Sequence, residues 1–236
     1  MNTFRKQKDA SRTAVFDKTA PRLEGDRYAF MKKLLPFVEP IQWLFMRRVH
    51  RFVLEFAKVE GAKNILDVCC GAGALSRGLA RMGFSVVGVD GSPTMLAHAR
   101  KRANKMRGQE GSSLRYLELD ATSLPFSSEF ELAVISLALH EMDEPVRTLV
   151  WKQIRKSVQP GGLILAVDFS IPPEETLLAK WALRLTEADE RSFLSHDPHH
   201  YWNYCSFMDE GGILGWLKAQ GSEPEMCEFA SFGTMA

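Results

Sequence analysis

The stretch Asn64 to Ser76 reads NILDVCCGAGALS. An apolar run ends in a small glycine loop, Gly71-Ala72-Gly73, and the residues beyond it follow a helical pattern. A second apolar run, Ser85 to Val89, ends on an acid, Asp90, seventeen residues beyond Gly73. A strand, a tight turn, a helix and a second strand ending in a carboxylate build a nucleotide-type pocket at the carboxyl ends of parallel strands. The carboxylate lies where it can hold the two hydroxyls of a ribose.

Two kinds of cofactor use that geometry, and charge separates them. A dinucleotide site calls for G-x-G-x-x-G or A, so that the helix start can approach a pyrophosphate. Here the third position is Ser76, and Asp67 sits just before the loop. A carboxylate beside a pyrophosphate is repelled. Beside a cofactor carrying an ammonium and a sulfonium it is attracted. The residues therefore favour S-adenosylmethionine over a dinucleotide.

Outward from the loop, apolar strands alternate with helices. Strands are expected at Asn64–Cys69, Ser85–Val89, Leu114–Leu119, Leu132–Leu137 and Leu163–Phe169. Helices are expected at about Ala74–Met82, from Pro93 with Ser92 as cap, and at Glu144–Val158 with Val146, Leu149, Val150 and Ile154 buried. Pro160-Gly161-Gly162 reads as a turn. Continuous apolar strands between helices mean a parallel sheet covered on both faces, an α/β fold.

Ahead of this core, Ile41–Ala57 reads as an amphipathic helix bounded by Pro36, Pro40 and Gly61. Its stripe is Ile41, Leu44, Phe45, Val49, Phe52, Val53 and Phe56, with Arg47, Arg48 and Arg51 opposite. It is expected to cover the cofactor site and the sheet edge, or simply to pack on the sheet. After the core, Glu174–Leu185 reads as a helix, Thr186–Asn203 as irregular, Ile213–Ala219 as a short helix and Met226–Ala230 as a strand. The final strand is short, or the chain continues past Ala236. The division expected is an arm and cap helix over 1–60 and a catalytic domain over 61–236, with 185–204 as a substrate lid.

The chain has 236 residues, enough for one α/β domain with a helical extension. A net charge of +1 gives no global drive toward nucleic acid. The first 60 residues are locally basic, with thirteen Lys and Arg against seven Asp and Glu. That arm is either a solvated tail or a contact for an anionic membrane surface, RNA or an acidic substrate. The polar start MNTFRKQKDASR has no secretory h-region. Four cysteines without framework spacing suit reduced thiols and a cytoplasmic location.

Five segments in order carry a family likeness: LDVCCGAG (66–73), VVGVDGSPTMLAHAR (86–100), LELDATSLPF (117–126), ELAVISLALHEM (131–142) and VQPGGLILAVDFS (158–170). From about Asn64 to Phe169 the chain resembles the class I S-adenosylmethionine-dependent methyltransferases. AVFDKTAPR (14–22) and the ending VDFS make it similar to the ubiquinone/menaquinone C-methyltransferase type. Where that type continues with a tyrosine and an acid, this chain has Leu23-Glu24-Gly25-Asp26.

The resemblance implies a Rossmann-like sheet in the order 3-2-1-4-5-7-6, the last strand short or truncated, with an amino-terminal helical extension. It implies S-adenosylmethionine as cofactor and S-adenosylhomocysteine as product. By motif position, Gly71, Ala72 and Gly73 would approach the methionine part, and Asp67 would shape the loop and its charge. Asp90 would take the ribose hydroxyls, and Gly91, Ser92 and Met95 would flank ribose and adenine. Asp120 and Ala121 would contact adenine, and Leu137 and Ala138 would pass under the reactive methyl.

Methyl transfer needs a base where the nucleophile carries a proton that must leave. His140, just past the fourth strand, is the candidate base, and Asp168 a candidate partner or helix cap. The segment His196-Asp197-Pro198-His199-His200-Tyr201-Trp202 is dense in imidazoles, yet Pro198 is expected to break a helix there, so a lid is favoured over a metal site. The function expected is methylation of carbon or oxygen on a small, apolar or ring-bearing acceptor, by a monomer or homodimer. The alternatives are an RNA or protein methyltransferase using the basic arm, or a non-catalytic cofactor-binding module.

Overall fold

Five runs of apolar and β-branched residues form the sheet of the computed structural model, which describes residues 25–106, 113–174, 176–192, 194 and 196–236, and only the backbone of 38–45. Residues 1–24 of the expected basic arm lie outside the described residues. The strands are β1 (Asn64–Val68), β2 (Ser85–Asp90), β3 (Ser113–Glu118), β4 (Phe130–Ser136) and β5 (Val158–Val167). All pairings are parallel, in the order β3-β2-β1-β4-β5. The helices are α1 (Leu35–Val59), α2 (Ala74–Arg81), α3 (Pro93–Ala103), α4 (Glu144–Ser157), α5 (Leu177–Ser192), α6 (Pro198–Asp209) and α7 (Gly212–Ala219).

Both sheet faces are buried, which is why the strands read as continuous apolar runs. On one face Ile65, Val86, Leu132 and Val134 meet Met46, Val49, Val53 and Ala57 of α1 and Leu75 and Leu79 of α2. On the other, Leu66, Val68, Val87, Ala133 and Ile135 meet Val150, Trp151 and Ile154 of α4, Phe207 of α6 and Trp216 of α7. Helix α1 thus covers a sheet face, and the segment before it, not the helix, reaches the strand ends. Pro36 falls in the first turn, where its missing N–H costs nothing, and the helix also runs through Pro40.

Three helices start on the same device, a side-chain oxygen at the cap followed by a proline in the first turn. Ser92 accepts from Met95 N at 3.1 Å, Asp143 from Val146 N at 3.1 Å and Asp197 from His199 N at 3.0 Å. Each cap contributes about 1 kcal/mol. The device corrects the reading of residues 186–203 as irregular. Pro198 begins α6 instead of breaking a helix, because Asp197 caps the turn it opens. The expected lid is two helices, α5 and α6.

Other expectations shift locally. In α4 the expected Leu149 is exposed, and Arg147 and Trp151 take its place inside. Pro160-Gly161-Gly162 lies within β5 as an irregularity, where pairing passes from Phe130–Val158 to Leu132–Leu163. Beyond β5 the described residues form isolated antiparallel bridges instead of full sixth and seventh strands: Phe169 with Met235, and Ala230 with Met235. The backbone of Asp168 exchanges two 3.0 Å hydrogen bonds with Ala236.

A contact from the sheet closes the glycine loop at Gly73. Gly73 has φ +72 and starts α2, and the Tyr116 hydroxyl donates to its carbonyl at 3.1 Å. A Cβ at Gly73 would stand 2.2 Å from that hydroxyl oxygen. Gly73→Ala should therefore lower stability by about 2 kcal/mol, from steric overlap and left-handed backbone together. Urea denaturation checks this, and an unchanged midpoint would refute the packing described.

Candidate active site

Where β1 ends, the chain turns sharply. Cys69 takes a left-handed conformation at φ 56, as does Leu137 at φ 51 beyond the neighbouring β4. Such backbone is costly for residues with a Cβ and concentrates at functional sites. Both turns stand at the carboxyl ends of the strands, the ligand position of open α/β sheets. Gly71 lies here at φ +52, and a Cβ on it would meet nothing within 4 Å. The backbone therefore faces open space that a ligand can fill.

Asp90 stands beside that opening. It accepts from Gly71 N at 2.7 Å and from Ser92 N at 2.8 Å, which fixes the carboxylate and leaves lone pairs toward the crevice. Burial raises its pKa, and the two backbone donors partly offset this. Asp67 lies deeper, 2% exposed, and accepts from the Ser76 hydroxyl. Burial pushes it up to about 7, and the Asp90 charge adds to the rise. The Cys69 thiol is raised first by burial and then by the fields of Asp90, Glu141, Asp67 and Asp120. Four carboxylates therefore act on one loop.

The residues expected from the sequence gather at this edge. Asp67, Gly71, Ala72, Gly73, Asp90, Gly91 and Ser92 follow β1 and β2. Asp120 follows β3, where it caps the turn Ala121–Ser123 by accepting from Thr122 N at 2.8 Å. Leu137, Ala138 and His140 follow β4. Met95 sits half-buried in the first turn of α3, and its described contact is a backbone one, to the Ser92 hydroxyl. Cys69 lies beyond β1 in the left-handed turn, not within the strand as its neighbours suggested.

His140 is 3% exposed, on the short turn Leu139–Glu141. Its Nδ1 lies 2.6 Å from Asp168 Oδ1, and the other Asp168 oxygen accepts from Leu139 N at 2.9 Å and His140 N at 3.3 Å. Arg147 holds the same turn from below. Its Nε donates to the Leu139 carbonyl and its Nη2 to the Met142 carbonyl, both at 2.9 Å, and its Nη1 pairs with Glu210 at 3.0 Å. Burial alone would lower the pKa of His140. Asp168, with Glu190 and Glu141 behind it, outweighs that and raises it to about 9.

The far side of His140 meets the two carboxyl-terminal helices. Its Nε2 lies 3.7 Å from Glu190 of α5, and Glu190 pairs with His200 Nε2 of α6 at 2.6 Å. His140, Glu190 and His200 form a described group that could hold a metal ion, with donor atoms within 4.8 Å of one another. Their shortest separation is that of a hydrogen bond.

Sequence reasoning missed the segment that closes the crevice. Asp26 accepts from the Ser92 hydroxyl at 2.7 Å and from Thr94 N at 2.9 Å. Arg27 donates to Asp197 at 2.7 Å, and the Tyr28 hydroxyl donates to Glu141. The chain thus reaches from the start of α3 to the start of α6 across the strand ends. Glu190 and His200 were missed as well. One signal was present in the sequence: Asp26 ends the segment Leu23-Glu24-Gly25-Asp26, and Tyr28 follows two residues on.

Comparisons with known proteins agree with this geometry. The family described as a methyltransferase domain matches residues 65–162. An uncharacterized methyltransferase of Synechocystis is 32% identical over 53% of this chain and 56% of its own length. A demethylmenaquinone methyltransferase of Clavibacter sepedonicus is 36% identical over 70% of this chain and 67% of its own length. The chain thus spans between 56% and 67% of the curated relatives it matches here. Among solved structures, the N-methyltransferase NodS of Bradyrhizobium japonicum shares the fold, with TM-score 0.51, 20% identity, and coverage of 62% of this chain and 74% of that one.

The two shifted groups act on stability in separate pH windows. His140 rises from 6.5 to about 9 on folding, so its contribution is whole below pH 6.5 and is lost as pH climbs through 9. Asp67 rises from 3.8 to about 7, so the folded protein keeps a proton that the unfolded chain has released, and a penalty grows between those values. Thermal melts across pH should show His140→Gln flattening the decline between 6.5 and 9, and Asp67→Asn flattening only the lower window. Identical slopes in the wild type and both variants would refute these assignments.

Proposed function

The chain belongs to the class I S-adenosylmethionine-dependent methyltransferases, and we propose that it methylates carbon or oxygen of a small, apolar, ring-bearing acceptor of the quinol type. The observation that carries the cofactor assignment is the convergence of Asp67, Asp90, Asp120 and Glu141 on the loop around Cys69. Asp67 and Asp90 are raised chiefly by burial, and a cationic neighbour favours their ionised forms. An ammonium and a sulfonium would therefore be attracted here, whereas a pyrophosphate would raise both further. The name of the Clavibacter relative supports a quinone-related acceptor.

The residues then take definite roles. Asp90, already held by Gly71 N and Ser92 N, accepts the ribose hydroxyls with its remaining lone pairs. Gly91, Ser92 and Met95 flank the sugar and base, Asp120 and Ala121 meet the adenine, and Leu137 and Ala138 pass beneath the reacting carbon. Gly71, Ala72 and Gly73 line the methionine end. When bound, S-adenosylmethionine supplies a methyl group on cationic sulfur, open to in-line displacement, with S-adenosylhomocysteine as product. Positioning alone supplies up to roughly 7–11 kcal/mol of such a barrier.

His140 acts as the base that takes the acceptor's proton. Asp168 occupies Nδ1, so Nε2 is the nitrogen that exchanges it. Glu190 and His200 continue from Nε2 into α5 and α6. Because the carboxylates favour the imidazolium, the basic form is the minor one near neutrality and grows as pH climbs through about 9. The free thiols of Cys69, Cys70, Cys205 and Cys227 suit a cytoplasmic enzyme. No helix among the described residues is long and apolar enough to cross a membrane.

Calorimetric titration with S-adenosylmethionine tests the pocket. Wild type should bind, and Asp90→Ala should lose at least about tenfold in affinity, the value of a lost charged hydrogen bond. Wild-type affinity in that variant would overturn the pocket assignment. His140→Ala should bind the cofactor normally yet turn over a demethylated quinol about 10²–10⁴-fold more slowly. It should also lose the wild type's rise in kcat toward pH 9. Full activity in His140→Ala would remove it as the base.

A further inference from the structure

Helix α5 is packed in reverse. Its inward side chains are small, Ala179 at 2% and Ala182 at 9% exposure, while its large apolar ones face out. Leu177 is 86% exposed, Leu178 57%, Trp181 59% and Leu185 49%. Residues 177, 181 and 185 recur every four positions, so they and Leu178 form one continuous outer stripe. A helix that stabilised only its own fold would point these side chains the other way.

A further exposed apolar side chain stands on a turn packed against α5. The turn Ser231–Gly233 packs against α5, and Gly233 also abuts Pro172 and Pro173. Phe232 stands 61% exposed on this turn at φ 59 and ψ 31. Left-handed backbone at a bulky aromatic is costly, so the fold spends stability to hold a phenyl ring in water beside the α5 stripe. Ile171, 41% exposed, precedes those two prolines. Contiguous exposed apolar surface of this kind marks a binding face.

Charge selects what binds there. Lys180, Arg184 and Arg191 are exposed and share one flank of the stripe by helical geometry. Of the acids of α5, Glu187 lies on the same flank and accepts from the Tyr201 hydroxyl at 2.9 Å, Glu190 is buried on His200, and Asp189 lies on the other flank. Leucines and a tryptophan bordered by a row of cations is the pattern of a helix lying in the headgroup layer of an anionic bilayer. We propose that the outer face of α5, with Phe232, seats the protein on an anionic lipid surface.

The seat rests on exposure, packing and charge, independently of the methyl-transfer reading, but the two fit together. The helix whose outer face meets lipid carries Glu190 on its inner face, 3.7 Å from His140.

Flotation of the full chain with vesicles of phosphatidylcholine, alone or mixed with phosphatidylglycerol, and without cofactor, tests the seat. Binding to the mixed vesicles, weakened by salt, is expected. The Trp181→Glu/Leu185→Asp double variant alters only exposed positions and should keep the wild-type melting temperature while losing at least tenfold in partitioning. Lys180→Glu/Arg184→Glu should lose the preference for phosphatidylglycerol. The emission difference between wild type and Trp181→Phe should shift to the blue on the mixed vesicles. Failure to float, or equal partitioning of wild type and the Trp181→Glu/Leu185→Asp variant, would overturn the proposal. So would a concentration-dependent dimer, abolished by that variant, in place of vesicle binding.

Discussion

A single buried carboxylate ties the functional end of this protein together. Asp168 accepts from four donors on two segments: Leu139 N, His140 N, the His140 ring and Phe169 N. Its own backbone pairs with Ala236. The turn after β4, the end of β5 and the carboxyl-terminal bridge thus share one residue of zero exposure. A buried charge with this many partners is stable only while all are present, since losing one leaves the rest uncompensated. Arg147 performs the matching task from below with its grip on the Leu139 and Met142 carbonyls. The position of His140 is a consequence of these two charges, and its basicity comes from Asp168, with Glu190 and Glu141 adding to it.

The sheet and the loop could be read from the chain because their signals are local. NILDV is apolar because both faces of β1 are covered, and Gly71 and Gly73 are required by left-handed turns a few residues away. Ser92, Asp90 and Pro93 announce the start of α3 in consecutive positions. The cover over the crevice has no such signal. Asp26 meets Ser92 across 66 residues, and Tyr28 meets Glu141 across 113, so neither pairing leaves a pattern in any short window. Glu190 and His200 find each other because two helices fold back, a geometry hidden while residues 186–203 read as irregular. Pro198 caused that misreading. A proline breaks a helix from within and begins one from its first turn, and the Asp197 cap decides between them.

The electrostatic character of the site follows from placing acids at several strand ends at once. Each strand of a parallel sheet delivers its last residues to the same edge, so Asp67, Asp90 and Asp120 converge without being close in sequence. Glu141 joins them from the turn after β4. Arg27 enters that region already engaged with Asp197. Burial, with the Asp90 charge adding to it, raises Asp67 to about 7, so part of this negative charge is taken up by a proton near neutrality. A folded state that carries unsatisfied charge is poised to gain from a cationic guest, and binding and stability are then coupled through the same carboxyl groups.

The left-handed turns at Cys69 and Leu137 have a consequence for how this site could change over time. Both residues hold a conformation that glycine would adopt without strain, so glycine at either place would make the empty protein more secure. It would also give the two turns more conformational freedom. Side chains at Cys69 and Leu137 restrict backbone that glycine would free. Selection for robustness and selection for a well-shaped opening pull in opposite directions at these two positions.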